Sequence, residues 1–357
     1  MTRIIVTGAF GNVGANVIRE LQKTDTEILA IDLETKRNLK TYNDLRKSGD
    51  FSAKWLDLTN SEGVKDALFN FEPDVIIHVA AILPPLAYVN PKLARNVNVN
   101  ATKFLIDTAM QLKKMPKLVF TSSYSVHGPF SPEETAPLLT GDTPVSPQDN
   151  YAKYKVECEE MVQKSQLPWV IVRLCAVLNY LPANMEMNDS MMQLTFAIPL
   201  KRKTHAIDSR DVGLALTNAA LRDVSKRIFD IGGDDSWKLI GSTLMSNALS
   251  VNGLGMFPEK AFRNPDPARK EDWYYEFWVD TEESQKELEY QRYSYSDHLR
   301  DAKKAAGMSR YFLKLVSPLA RRILVRKSPY RNRTTEYDTG TAWEHAVRIF
   351  GIDEESI

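Results

Sequence analysis

Cysteine is almost absent from this chain of 357 residues, in which Cys158 and Cys175 are the only two. So few cysteines exclude a disulfide-built scaffold and are typical of proteins of the reducing cytoplasm. The five histidines are scattered without metal-ligand spacing, so we expect no metal site. A run of about twenty apolar residues is also missing, and the first predicted strand begins almost at once. We therefore expect neither a membrane-spanning segment nor a signal peptide.

Net charge is missing as well, because 46 Lys and Arg residues balance 46 Asp and Glu residues. No global field therefore attracts nucleic acid, and we expect no nucleic-acid partner. The hydrophobic content of 43% and the charged content of 26% are typical of a globular protein. The length suffices for one large domain or for two that share a core.

What the sequence does contain is a glycine motif close to its start. Ile4–Val6 is a short apolar run that predicts a buried parallel strand. Gly8, Gly11 and Gly14 follow at intervals of three, before a helix-compatible stretch at 15–21. A strand, a glycine turn and a helix in this order predict a site where free amides at a helix N-terminus hold a pyrophosphate. A purely structural turn is the alternative.

An acidic residue follows at the distance that this motif requires. The second predicted strand, 27–31, ends at Asp32, which lies 18 positions after Gly14. A carboxylate at this spacing meets the adenosine ribose and repels a 2′-phosphate, which favours NAD over NADP. Lys36 and Arg37 follow closely and offer positive charge to a phosphate, so NADP remains the alternative cofactor.

Further strands alternate with helices and predict an α/β protein with a parallel sheet. The predicted strands are 54–56, 75–79, 117–120 and 169–173, and the predicted helices are 61–70, 92–114 and 149–165.

The ends of these strands supply candidate cofactor contacts. Asp57 suits contact with an adenine, although a turn or helix cap is an equal alternative. Ala80 and Ala81 are small enough for a cofactor to lie against their backbone, whereas we expect His78 to be packed and not catalytic. The other candidates along these edges are Phe10, Asn12, Val13, Leu33, Leu58 and Asn98.

A tyrosine and a lysine complete the pattern. Tyr151 and Lys155 stand four residues apart and therefore share a face of their helix. Ser122 and Ser123 close the fifth predicted strand. With the glycine motif and Asp32, this pattern resembles the extended short-chain dehydrogenase/reductase superfamily, in its NAD-dependent epimerase/dehydratase branch. The resemblance extends over roughly the first two thirds of the chain. It implies a doubly wound, Rossmann-type parallel sheet with a smaller C-terminal substrate-binding lobe.

The same resemblance implies a chemistry. Tyr151 is the expected general acid/base, and Lys155 and the nicotinamide charge are expected to lower the pKa of its phenol from about 10. Lys155 is also expected to bond the nicotinamide ribose. Ser123 is expected to hold the reacting oxygen, with Ser122 as the alternative. The implied function is an NAD-dependent oxidoreductase or epimerase that transfers a hydride at a secondary alcohol or ketone of a small molecule.

Departures from the family pattern bear on the substrate. Tyr124 and Ser125 stand where 4,6-dehydratases carry an Asp-Glu pair, so we do not expect elimination of water. Ala176 stands where sugar-nucleotide enzymes carry an asparagine. A methionine-rich stretch favours an apolar or lipid-like substrate, with core packing as the alternative. Its apolar residues are Met185, Met187, Met191, Met192, Leu194 and Phe196. A sugar-nucleotide epimerase and a non-catalytic dinucleotide-binding sensor or scaffold remain the alternative functions.

The chain divides into three expected parts, and we expect it to form a homodimer. Residues 1–175 form the dinucleotide-binding domain, to which 204–235 return. Residues 176–203 and 236–300 form the substrate lobe, where we expect an aromatic cluster near Trp273 to pack as core. Residues 301–357 form a basic amphipathic extension.

The extension has a marked charge bias. Between Ala302 and Thr335 there are ten Lys and Arg residues and no acidic residue. Ser317 and Pro318 resemble an N-cap and a first helical position, which predicts two short amphipathic helices. Cations beside an apolar stripe favour peripheral contact with an anionic membrane. The alternative is that the stripe packs on the protein while the cations face water.

Overall fold

A parallel sheet of seven strands forms the centre of the protein, in a computed structural model that describes residues 1–135, 137–181 and 188–353. The strands of the described chain are β1 Thr2–Thr7, β2 Thr26–Asp32, β3 Ser52–Trp55, β4 Val75–His78, β5 Lys117–Ser123, β6 Trp169–Leu174, β7 Ala176–Leu178, β8 Lys203–Asp208, β9 Arg227–Ile231 and β10 Lys238–Ile240. The large sheet has the order β3-β2-β1-β4-β5-β6-β9 with every neighbouring pair parallel, and β10-β8-β7 form a small second sheet. The predicted doubly wound α/β fold is confirmed.

Helices cover both faces of the large sheet, which explains why its central strands are apolar on both sides. The helices are α1 Asn12–Leu21, α2 Lys36–Leu45, α3 Ser61–Phe71, α4 Leu86–Val89, α5 Pro91–Arg95, α6 Ala101–Ala109, α7 Asn150–Lys164, α8 Asp189–Ala197, α9 Ser209–Leu221, α10 Gly241–Val251, α11 Glu282–Leu288, α12 Tyr295–Ala306, α13 Ser309–Val325 and α14 Ala342–Phe350. Helices α1 and α9 pack on one face, and α3, α6 and α7 pack on the other.

The strand order places the functional crevice. The chain runs outward from β1 through β2 to β3, then returns to β4 on the other side of β1. In open α/β sheets, ligands bind outside the carboxyl ends of the strands at such a reversal. Thr7 at the end of β1 is in register with His78 at the end of β4, so the glycine turn and the segment after β4 meet there.

Two predicted helical stretches differ in part from the structure. The long helix expected over 92–114 is continuous from Pro91 to Ala109, but it contains a π-helical turn at Asn96–Asn100 between α5 and α6 and ends before 114. The two short helices expected around Pro318 are instead one helix, α13, with the proline inside it. Pro318 is exposed while Ser317 is buried against the protein, so tertiary contacts hold both halves of α13 together although the proline removes a backbone donor.

The aromatic cluster near Trp273 packs as core, as expected. Trp273, Tyr275 and Phe277 are each at most 3% exposed. Phe277 belongs to the same apolar cluster as β1, together with Tyr290, so this part of the C-terminal half packs directly on the large sheet. No helix within the described ranges is both long enough and apolar enough to cross a membrane.

Candidate active site

Two of the three motif glycines are required by the protein's own backbone. Gly8 has φ +65°, and a Cβ there would lie 2.8 Å from the backbone of Ala80. A Cβ on Gly14 would lie 2.1 Å from the carbonyl oxygen of Gly8. These contacts hold β1, α1 and the segment after β4 in close approach, so larger residues are excluded for structural reasons.

Gly11 is different, because the protein's own atoms do not require a glycine there. It has an ordinary φ of −72°, and a Cβ would meet only the Gly8 carbonyl oxygen, at 3.4 Å. Gly11 is the N-cap residue of α1, and no side chain caps this helix end. The Oδ1 atom of the neighbouring Asn12, an acceptor, is buried without a hydrogen-bond partner among the described residues. The uncapped first turn of α1 offers backbone N–H donors and an open approach, which fit a phosphate group.

Asp32 lies at the end of β2, directly beside the glycine turn. Its carboxylate accepts hydrogen bonds from the amides of Phe10 and Leu33, both at 2.8 Å, and from the Asn38 side chain at 3.1 Å. Burial raises the pKa of Asp32, although the two amides and the charge of Arg37 oppose the rise. Asp32 thus connects the turn to the adjacent strand end and leaves a carboxylate at the expected place.

The side chain of Phe10 is core and does not face the crevice. Its ring packs on Tyr42 and Trp55, with centroids 5.8 and 5.0 Å away. Val13 is half-buried beside the same core, whereas Leu33 is exposed at the carboxyl edge. The candidate contribution of Phe10 is therefore its backbone.

At the end of β3, Asp57 makes the contacts of a turn cap. Its carboxylate accepts hydrogen bonds from the amide and the hydroxyl of Thr59, at 2.9 and 2.8 Å. It is nevertheless exposed at the same edge as Asp32, and Leu58 beside it is half-buried. The contacts match the alternative structural role that the sequence left open.

The segment after β4 is positioned by a buried asparagine. The side chain of Asn98 accepts from the amide of Ile82 at 2.7 Å and donates to its carbonyl at 2.9 Å. This bidentate contact fixes the backbone just beyond Ala80 and Ala81, which are half-buried. Asn98 therefore acts through the loop and not by pointing into the crevice.

His78 is packed, as the sequence analysis expected. Its ring nitrogens lie 2.7 Å from the Thr7 hydroxyl and 2.8 Å from the Thr102 hydroxyl, and the residue is 1% exposed. Burial, together with the charge of Lys155, lowers the pKa of His78 to about 3. At neutral pH the ring is therefore uncharged and held by two hydroxyl groups.

The structure brings Tyr151, Lys155 and Ser123 together where β5 ends against α7. Lys155 Nζ donates to the carbonyl oxygen of Thr121 at 2.7 Å and lies 5.9 Å from the centroid of the Tyr151 ring. The Ser123 side chain is close enough to the Tyr151 phenol to lower the pKa of that phenol. All three residues lie at the carboxyl edge of the sheet, two strands from the glycine turn.

The phenol and the ammonium of this site both have shifted pKa values. Burial raises the pKa of Tyr151 well above its usual range, Asp149 raises it further, and the hydrogen bond with Ser123 opposes the rise. Burial lowers the pKa of Lys155 to about 8. The ammonium donates to the Thr121 carbonyl, and the lowering of the Tyr151 pKa by Lys155 and the nicotinamide charge stays a prediction. Tyr151 is accordingly a neutral phenol.

The contacts of the two serines separate their roles. Ser123 Oγ accepts from the Ser125 amide at 3.2 Å and from the Ser125 hydroxyl at 2.9 Å, and Ser123 also lowers the pKa of Tyr151. Ser122 Oγ is buried and has no hydrogen-bond partner among the residues that the structure describes. These contacts favour Ser123 as the serine that faces the reacting group.

Sequence reasoning missed an aspartate beside the tyrosine. Asp149 is the N-cap of α7, accepts from the Ala152 amide at 2.6 Å, and also accepts from the hydroxyl of Tyr88. It is close enough to raise the pKa values of Tyr151 and Tyr274. The N-cap role could be read from its place before a helix, but the bond to Tyr88, 61 residues away, could not.

The described part of the methionine-rich stretch is mostly core. Met192 and Phe196 are buried with Phe257, and Leu194 is buried in the cluster that contains Tyr151. Met191 is half-buried. The residues Met185 and Met187 lie outside the described residues. The packing alternative therefore accounts for Met192, Leu194 and Phe196.

The three residues that depart from the family pattern, Tyr124, Ser125 and Ala176, lie in or directly after strands of the protein. Tyr124 is buried just after β5, where burial raises the pKa of its phenol, and Ser125 bonds Ser123. Ala176 begins β7 and is half-buried. No cluster of metal-binding side chains occurs within the described ranges.

Residues 4–203 match the model of the NAD dependent epimerase/dehydratase family. An uncharacterised epimerase/dehydratase of Staphylococcus haemolyticus is 31% identical over 150 residues, which are 41% of this chain and 44% of that protein. D-erythronate dehydrogenase of Cupriavidus necator is 26% identical over 156 residues, 43% of this chain and 47% of that protein. The chain thus aligns with less than half the length of these curated relatives.

Solved structures resemble the fold over most of the chain. The UDP-Glc/GlcNAc 4-epimerase of Campylobacter jejuni superposes with a TM-score of 0.69 at 20% identity, covering 87% of this chain and 100% of that one. The UDP-glucuronic acid 4-epimerase of Bacillus cereus, solved with UDP-glucuronic acid and NAD, gives a TM-score of 0.66 at 20% identity, covering 85% and 99%. At this identity the similarity establishes the fold alone.

Proposed function

Because this chain belongs to the NAD-dependent epimerase/dehydratase family, we propose that it is an enzyme that uses NAD to oxidise or reduce a secondary alcohol or ketone. The observation that carries the proposal is the meeting of Tyr151, Ser123 and Lys155 beside the crevice that the glycine turn borders. The packing of a strand end does not by itself require a phenol, a hydroxyl and a buried ammonium together. A reacting carbonyl group uses all three.

The crevice has the groups that NAD requires. The uncapped end of α1, with the amides of Asn12, Val13 and Gly14, would hold the pyrophosphate. Asp32 and Leu33 would meet the adenosine ribose. The second half of the cofactor would lie along Ala80 and Ala81, with its ribose reaching Lys155 and Tyr151, while Asp57 and Leu58 would border the adenine. Bound there, NAD supplies a ring that accepts or returns a hydride.

The residues of the chain would manage the proton. As a neutral phenol, Tyr151 donates a hydrogen bond, and then a proton, to the substrate oxygen during reduction. Oxidation requires Tyr151 to accept that proton, and the Lys155 ammonium, 5.9 Å from the ring, would stabilise the resulting negative charge. Ser123 would hold the substrate oxygen against the phenol. A pKa of about 8 keeps Lys155 mostly protonated at neutral pH.

A sugar-nucleotide epimerase is the second candidate, favoured by the extent of the fold similarity to the Campylobacter jejuni enzyme. An epimerase oxidises and reduces the same carbon and keeps its cofactor, whereas a dehydrogenase releases NADH. A non-catalytic sensor is disfavoured, because Tyr151 and Lys155 are both present and the lysine is buried at an energetic cost. For the substrate we also propose an apolar or lipid-like portion. Of the methionine-rich stretch on which this rests, Met191 is half-buried, whereas Met192, Leu194 and Phe196 pack as core.

The test compares two tyrosine variants of the purified full chain. Formation of NADH is followed by absorbance with a panel of aldonates, sugar nucleotides and apolar secondary alcohols. Tyr151→Phe should lower turnover by about 10³-fold and leave NAD affinity nearly unchanged, because only the proton-transferring hydroxyl is removed. Tyr154→Phe is the matched control, since it lies on the same helix but its hydroxyl faces the Pro91 carbonyl. Near-normal turnover of Tyr151→Phe would contradict the proposal.

A further inference from the structure

One face of α13 carries large apolar side chains that the rest of the described chain leaves uncovered. Phe312, Leu315 and Leu319 are 68%, 80% and 65% exposed, and Tyr311 and Ile323 are about half exposed. These positions recur every three or four residues, so their side chains form one stripe along the helix. Scattered exposed apolar residues are normal, but a continuous stripe indicates a binding surface.

The opposite face of α13 is held firmly by the protein. The Ser317 hydroxyl accepts from the Gly255 amide at 3.2 Å, and the Arg321 guanidinium donates to the Met256 carbonyl at 3.0 Å. Leu324 and Val325 pack against the apolar cluster that contains Met192 and Phe257. The stripe therefore faces away from the protein because the other side of the helix is occupied. The expectation that the apolar residues pack on the protein holds for this inner side only.

Cations lie on and beside the outward stripe. Arg322 and Arg326, three and seven positions after Leu319, fall on the same side of the helix, and Lys314 is exposed next to it. None of these three forms an ion pair with another described residue, whereas Lys327 pairs with Asp189. The surface is therefore apolar along its middle and positively charged without internal compensation.

We propose that α13 lies in the headgroup region of a membrane that contains anionic lipids. The stripe would enter the boundary of the acyl chains while Lys314, Arg322 and Arg326 meet lipid phosphates. With 17 residues and cations on its outward side, α13 is suited to lying along the surface rather than to crossing a bilayer. A second copy of the chain is a poorer occupant, because it would bring an equal set of uncompensated cations against the first.

The surface is connected to the active site through neighbouring helices. The apolar cluster under α13 includes residues of α8 and α14, and α14 in turn contacts α4. Helix α4 carries Tyr88, whose hydroxyl bonds Asp149 beside Tyr151. A membrane bound at α13 would therefore be linked to the site through α14 and α4. Binding itself requires no catalysis, so this inference goes beyond the proposed function and can fail independently of it.

The test is co-sedimentation of the full chain with vesicles. One set contains phosphatidylcholine with about one third phosphatidylserine, and the other contains phosphatidylcholine alone. We expect binding to the anionic set only, decreasing as salt increases. The double variants Phe312→Ser/Leu315→Ser and Arg322→Glu/Arg326→Glu should each weaken binding more than about tenfold. Phe69→Ser and Lys65→Glu/Lys113→Glu, at exposed positions elsewhere, are the matched controls and should bind as wild type does.

Three results would overturn the proposal. One is absence of binding to the anionic vesicles at low salt by a wild-type protein with a cooperative thermal transition. Another is equal loss of binding in the control variants. The third is that sedimentation velocity finds a dimer for the wild-type protein and a monomer for the Phe312→Ser/Leu315→Ser variant. That result would identify a second copy of the chain as the occupant of the stripe. A cooperative thermal transition, measured on the same samples, confirms that each variant is folded.

Discussion

Lys155 Nζ lies 2.7 Å from the carbonyl oxygen of Thr121, which places the lysine of α7 directly against β5. Ser123 follows two residues later on that strand, and Tyr151 lies about one helical turn before the lysine. This hydrogen bond therefore joins the helix that carries the phenol to the strand that carries the serine. Lys155 is 4% exposed, and burial disfavours its charged form enough to lower the pKa of the ammonium to about 8.

We predict that removal of the Ser123 hydroxyl lowers turnover, whereas removal of the Ser122 hydroxyl leaves most of the turnover intact. Ser123→Ala should lower turnover by about 10²-fold, because it removes a hydrogen bond to the reacting oxygen, with little change in NAD affinity. Ser122→Ala should retain most of the activity and keep or slightly raise stability, because its buried hydroxyl has no partner among the described residues. Initial rates and thermal unfolding of both variants test this. A larger loss of turnover in Ser122→Ala than in Ser123→Ala would mean that Ser122, and not Ser123, bonds the reacting oxygen.

A second prediction separates the glycines that serve the fold from the one that serves a ligand. Gly14→Ala should destabilise the protein by about 2 kcal/mol or more, because its Cβ would meet backbone atoms. Gly11→Ala should change stability by less than about 1 kcal/mol, because its φ is ordinary and the added carbon has room.

The same Gly11→Ala variant should nevertheless lose NAD affinity by about tenfold or more, because the added methyl occupies the approach to the end of α1. Chemical denaturation and fluorescence titration with NAD measure the two effects. Unchanged NAD affinity would mean that Gly11 is part of a purely structural turn.

Elements that depend on neighbouring residues in the sequence could be predicted, whereas those that depend on contacts between distant segments could not. The run Ile4–Val6, the motif glycines and the spacing to Asp32 are local signals, and β1, the turn and β2 lie where they indicate. The single helix α13 was missed, because Pro318 is a local signal for a helix start. The contacts that hold the helix together, such as Ser317 with Gly255, join segments 62 residues apart.

The sequence predicted that Tyr151, Lys155 and Ser123 lie near one another, but it could not predict their electrostatics. The spacing of Tyr151 and Lys155 placed them on one face of a helix. The burial that raises the pKa of Tyr151, and the Asp149 charge that adds to it, arise from packing against distant segments. Helical periodicity likewise identified the apolar stripe of α13 but could not show that Phe312 and Leu315 face outward while Leu324 faces the protein.

A third prediction concerns cofactor choice. Asp32→Asn should reduce the preference for NAD over NADP by about tenfold, because a neutral amide no longer repels a 2′-phosphate. Glu34→Gln is the matched control, since it removes the same charge from an exposed position two residues further on and should leave the preference unchanged. Dissociation constants for both cofactors measure the ratio. A wild-type protein that binds NADP more tightly than NAD would show that Lys36 or Arg37 outweighs the carboxylate.

The last prediction concerns stability in acid. The pKa of His78 is about 3 in the folded protein, while an unfolded histidine has a pKa of about 6.5. Between these values the unfolded chain binds more protons, so the free energy of unfolding should fall as the pH is lowered from 6.5 towards 4. Each such histidine contributes up to about 1.4 kcal/mol per pH unit, and His205 and His345, whose pKa values burial lowers to about 4, add to the effect.

The His78→Gln variant isolates one of these contributions. At neutral pH it should be less stable than the wild type by about 1 to 3 kcal/mol, because glutamine cannot bond the hydroxyls of both Thr7 and Thr102 with the same geometry. Its stability should nevertheless depend less steeply on pH between 6.5 and 4, because one titrating group is gone. Urea denaturation of both proteins at intervals across this range gives the two slopes. Parallel slopes would mean that His78 becomes protonated inside the folded protein without cost, which its burial between two hydroxyl groups argues against.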